Sequence, residues 1–88
     1  MSYSYQAERP RLFTEEGQEM LLKVRDNVQR LLKTAGAFMS GHAWRGVGGD
    51  TWLMLACLDR LVERGEIIEV TDSRAWGQAR VFRGKLES

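Results

Sequence analysis

The sequence predicts an α+β domain of three helices followed by a two-stranded β-hairpin. Three observations predict it. Apolar residues recur at helical spacing between Leu21 and Leu32 and again between Met54 and Val62. Each run has a capping residue ahead of it and a glycine behind it. From Glu66 onward the helical period gives way to two β-branched segments separated by a polar stretch that carries a glycine.

The elements follow in chain order. Residues 1–11, MSYSYQAERPR, are polar apart from Tyr3 and Tyr5, and Pro10 disfavours helix at Arg9. A flexible tail is expected there, with the domain over residues 12–84 and a flexible end over 85–88. Thr14 is a suitable N-cap, and Glu15 and Glu16 then sit at the positive end of the helix dipole. Leu21, Val24, Val28, Leu31 and Leu32 share one helical face, while Lys23, Asp26, Gln29, Arg30 and Lys33 lie opposite. Gly36 is a natural stop, which bounds this helix at about 14–35. Ser40 caps a second, short helix through His42, Ala43, Trp44 and Arg45, and the run Gly46-Val47-Gly48-Gly49 breaks it. Asp50 caps a third helix that runs to about Arg64 and ends at Gly65. Its core stripe is Met54, Leu55, Leu58, Leu61 and Val62. Residues 66–71 form one strand and 79–83 the other, joined by a loop over 72–78.

Composition bounds the function classes. The 88 residues suffice for one domain, with 43% hydrophobic and 28% charged residues as in ordinary globular proteins. The net charge is only +1, a weak basic excess for a nucleic-acid binder. With the single cysteine Cys57, no internal disulfide can form, which fits a reducing, cytoplasmic setting. The longest apolar run, Trp52 to Leu58, has seven residues, against the roughly 20 a membrane helix needs.

Catalytic and cofactor chemistry finds no foothold. One histidine and one cysteine cannot complete a four-ligand zinc shell. Cys57 lies between Ala56 and Leu58 in an apolar helix, where a thiol lacks the base and the lowered pKa a nucleophile requires. The glycine-rich turn at 46–49 has no Lys-Ser/Thr after it and so is not a phosphate-binding loop of the NTPase type. Asp50 at the following cap would repel an anion there. Glu63, Glu66, Glu69 and Asp72 run from helix into strand and share no face. No enzyme, metal or cofactor is expected.

Leu55, Leu58 and Leu61 at three-residue spacing, then Gly65 and Ile67, followed by a hairpin to Phe82, resemble the winged helix-turn-helix superfamily. Ser40 at the start of the short helix and Val47 in the turn fit the same pattern, which spans residues 14–83. The resemblance implies DNA binding by a small regulator or accessory factor. Its third helix would enter the major groove and its wing would lie on the phosphate backbone. With Leu58 at the centre of the core stripe, Trp52, Leu53, Ala56, Arg60, Glu63 and Arg64 turn outward. Arg60 and Arg64 would face the groove. Arg74, Arg80 and Arg83, with Gln78 and Trp76 at the tip, would form a basic wing. The outward face lacks Asn, Gln and Ser, and Asp50, Asp59 and Glu63 border it, all against a polyanion. The alternative is a protein partner or homodimer held by an apolar patch of Trp52, Leu53, Ala56 and Trp76.

Overall fold

The structure, a computed structural model, describes residues 3–70 and 80–85. Helix α1 (Tyr5–Glu8) leads into a 3-10 turn (Arg9–Phe13) and then the long α2 (Glu15–Ala35). Strand β1 (Ala37–Met39), the one-turn α3 (Ser40–Ala43), α4 (Thr51–Glu63), β2 (Ile67–Glu69) and β3 (Val81–Gly84) follow. The domain is α+β, as the sequence predicts.

Both long helices start and stop where their caps dictate. The Thr14 hydroxyl accepts from Gly17 N–H at 3.1 Å, and the Asp50 carboxylate accepts from Trp52 N–H at 2.8 Å. At the far end of α4, Glu66 N–H donates to Leu61 C=O and Gly65 N–H to Val62 C=O, both at 2.9 Å. This crossed pair is a Schellman motif. It places Gly65 at φ +78°, a conformation that a side chain disfavours.

Three features depart from the sequence reading. The first is the sheet, in which the described residues form three strands rather than two, in the order β1-β3-β2 and antiparallel throughout. Strand β1 pairs Phe38 with Phe82, and their rings stack at 5.6 Å. Three residues between a helix stop and a helix start leave too short an alternation to read as a strand.

The second is the N-terminal segment, which is folded from Ser4 onward rather than loose. Pro10 sits in the first turn of the 3-10 helix, where its missing N–H costs nothing. Leu12 is fully buried. The segment crosses α2 so closely that Gly17 is required. A Cβ there would lie 2.7 Å from Leu12 Cα and 2.8 Å from the Arg11 carbonyl carbon.

The third is α4, which carries no simple stripe: residues Leu53 through Leu58 are all buried. Helix α2 covers one side of it, and α1 with the 3-10 turn covers another. A helix apolar around its whole circumference belongs inside, and the seven-residue run Trp52–Leu58 is that signature.

Candidate functional site

The N-terminal segment packs on the face of α4 expected to meet a groove and leaves Glu63 and Arg64 exposed. Leu53 is 1% exposed and Ala56 is fully buried, so these two of the four residues expected to meet a partner are core instead. Trp52 is half-buried. Around them the charges close on one another. Tyr3 Oη donates to Asp59 at 2.6 Å, and Tyr5 Oη donates to Glu63 at 2.8 Å. Glu63 also receives Arg9 at 3.2 Å and Arg60 at 2.7 Å. The Phe13 ring lies under both guanidinium groups, at 5.1 Å from Arg9 and 5.4 Å from Arg60. Hydrogen bonds from Arg60 and then Tyr5 hold the Glu63 carboxyl down at about 2. Burial, and then the bond to Glu63, push the Tyr5 phenol up to about 12.

The cations expected to touch DNA are thereby engaged. Arg60 is tied to Glu63, and Arg64 lies 3.0 Å from Glu66, which also takes Arg25 at 2.8 Å. Arg80 is buried, 8% exposed, with Asp59 at 2.6 Å and Glu69 at 2.7 Å. Burial opposes its charge, but the hydrogen bonds to Glu69 and Asp59 outweigh that and raise its pKa. It is a core ion pair, with its guanidinium 5.1 Å over the Phe82 ring. Arg83 is half-buried on the outer face of β3 and, among the described residues, donates to its neighbour's carbonyl, Gly84 O, at 3.4 Å. Arg74, Trp76 and Gln78 lie outside the described residues. The physical reason for these corrections is the acidic complement: Asp59, Glu63, Glu66 and Glu69 sit within reach of the same arginines once helix and hairpin pack.

A different surface keeps its charge. Between the C-terminal half of α2 and α3 lies an open cavity of about 790 Å³, lined by Asn27, Arg30, Leu31, Lys33, Thr34, His42 and Arg45. Three of these seven are Arg or Lys, a fourth is His42, and none is acidic. Among the described residues none of the four makes an ion pair. Two local devices build the cavity. Asn27 Nδ2 donates to Ala43 C=O at 3.0 Å and to Arg45 C=O at 3.2 Å, which fastens the α3 turn to α2. Its Oδ1 accepts from Arg30, so the same amide aims that guanidinium. Trp44 is buried beneath the turn and Gly46 closes it, leaving Arg45 and His42 at the surface.

This arrangement can bind an anion electrostatically. Among the described residues no three His, Cys, Asp or Glu gather as a metal site, and no described helix is long and apolar enough to cross a membrane. Sequence reasoning placed Arg30 and Lys33 on a solvent face and assigned His42 no role. The available signal was the spacing of Asn27, Arg30 and Thr34 along one helical stripe, with Asp26 beside it between Arg30 and Lys33. Comparison of the chain with protein-family models, with curated proteins and with solved structures finds no match, so the reading of this site rests on its own residues.

Proposed function

We propose that this chain is a small non-catalytic winged-helix domain that binds nucleic acid, and that the cavity between α2 and α3, not α4, meets the phosphates. The order of elements, with a short helix and turn before α4 and two paired strands after it, supports the superfamily. The observation that carries the binding reading is the contrast in charge compensation. Arg60, Arg64 and Arg80 each hold a carboxylate, whereas Arg30, Lys33, His42 and Arg45 share a concave surface free of acids. Uncompensated cations on one face are what phosphate binding by counterion release requires.

The test is binding of labelled mixed-sequence DNA, in single- and double-stranded form, at about 50 mM and about 200 mM salt. Micromolar-range binding that falls steeply with salt supports the reading; no binding of either form at the lower salt ends it.

A second reading, a protein partner, is favoured by one observation. The outer face of the sheet carries Met39, Ile68 and Val70 exposed in cross-strand rows with Val81 and Arg83. That face, and not Trp52, Leu53 and Ala56, is where an apolar contact would form. Sedimentation of the full chain over a range of concentrations tests the homodimer version of it.

A further inference from the structure

We propose that the cavity between α2 and α3 takes one unpaired nucleotide of a single strand, with its base inside and its phosphate on the surrounding cations. This rests on the nucleic-acid reading above and specifies which form of nucleic acid the site fits.

Three observations point this way. The first is shape. A duplex keeps its bases stacked inside and offers a basic patch only its backbone, which calls for no concavity. The space here, about 790 Å³ and open to solvent, falls in the volume range of sites that take a small organic group. The second is the character of the walls. Leu31 and the alkyl stems of Arg30, Lys33 and Arg45 supply apolar surface. The imidazole of His42 and the guanidinium planes of Arg30 and Arg45 are the groups on which splayed-out bases stack in single-strand recognition. The third is the state of the one amide. Asn27 has both N–H bonds committed to the Ala43 and Arg45 carbonyls and its oxygen committed to Arg30. It has no N–H left to donate to a base edge. The Thr34 hydroxyl likewise donates into its own helix, to the Arg30 carbonyl at 3.1 Å. What the lining chiefly offers a ligand is positive charge and flat surface, so the site is expected to discriminate little among bases.

The experiment is fluorescence anisotropy on the full chain with a labelled 12-nucleotide mixed-sequence single strand, the duplex of the same sequence, and adenosine monophosphate as competitor. Wild type, His42→Ala and His42→Phe are compared, each checked for folding by circular dichroism; His42 is exposed, so its replacement spares the core. The single strand is expected to bind at least tenfold more tightly than the duplex. His42→Ala should weaken the single strand about fivefold or more, as loss of one stacking platform does, and leave the duplex unchanged. His42→Phe should restore the single strand.

Duplex binding as tight as the single strand, with no effect of His42→Ala, overturns the single-nucleotide site and leaves the nucleic-acid reading standing. Binding of adenosine monophosphate, followed directly by isothermal titration calorimetry, without binding of the strand overturns the assignment to a polymer. Binding of none of the three defeats this proposal and the reading beneath it together.

Discussion

Gly17→Ala should destabilise this domain, although the same substitution in an exposed helix stabilises it. Alanine exceeds glycine by about 1 kcal/mol in a helix interior. Position 17 lies in the first turn of α2, under the 3-10 turn, and the added methyl would sit 2.7 Å from Leu12 Cα, closer than real Cβ contacts come. The neighbour is backbone and cannot swing aside, so the segment must lift. Lifting it withdraws Leu12, which is fully buried, from the core. Full exposure of a leucine costs about 1.5–3 kcal/mol, and overpacking strain generally costs about 1–3 kcal/mol. Set against the propensity gain, a net loss of about 1–2 kcal/mol remains. In a domain of this size that lowers Tm by roughly 5–15 °C. Urea unfolding followed by tryptophan fluorescence measures it. A variant more stable than wild type by about 1 kcal/mol would refute the close crossing of the N-terminal segment over α2.

Three further outcomes follow from the same contacts. Arg80→Met should cost about 3 kcal/mol, because it removes the guanidinium that joins Asp59 and Glu69 in a largely buried site, and it should leave the salt dependence of nucleic-acid binding unchanged. An altered salt slope would return Arg80 to the binding surface. Glu63 titrates at about 2 in the fold against an ordinary 4.5, so the stability it contributes is present above about pH 4.5 and is lost as pH falls from there toward about 2. Glu63→Gln should flatten acid unfolding in that window, and an unchanged profile would contradict the cluster around Tyr5, Arg9 and Arg60. Burial pushes the Cys57 thiol up to about 12, so the folded chain should resist iodoacetamide at pH 8 and react once unfolded in urea. Rapid labelling of the native chain would show that α4 is not enclosed.

The sequence made the long elements legible and left the short ones hidden. Caps are local chemistry, and so Thr14, Asp50, Gly36 and Gly65 delimit α2 and α4 as read. Strand β1 exists because Phe38 stacks on Phe82, a partner 44 residues away, and nothing within Ala37-Phe38-Met39 announces it. The N-terminal helix was masked for the same reason: its stability comes from Leu12 in the core and from Tyr3, Tyr5 and Arg9 on α4, not from its own propensity. The expected site failed on pairing. A list of arginines gives charge but not the carboxylates each will meet, and the distance from Arg80 to Asp59 is a property of the packed sheet and helix. The cavity was hidden conversely, because Arg30 and Lys33 read alone are an ordinary solvent face until Asn27 draws His42 and Arg45 beside them.

The central claim is that phosphates meet the cavity between α2 and α3 and not α4. The measurement that tests it most directly compares the salt dependence of single-strand binding in two double variants, Arg30→Ala with Arg45→Ala, and Arg60→Ala with Arg64→Ala. The account predicts that the first pair lowers affinity and reduces the slope of log affinity against log salt by about 1–2, while the second leaves the slope at its wild-type value. The opposite result, a slope reduced by the α4 pair and untouched by the cavity pair, would contradict it.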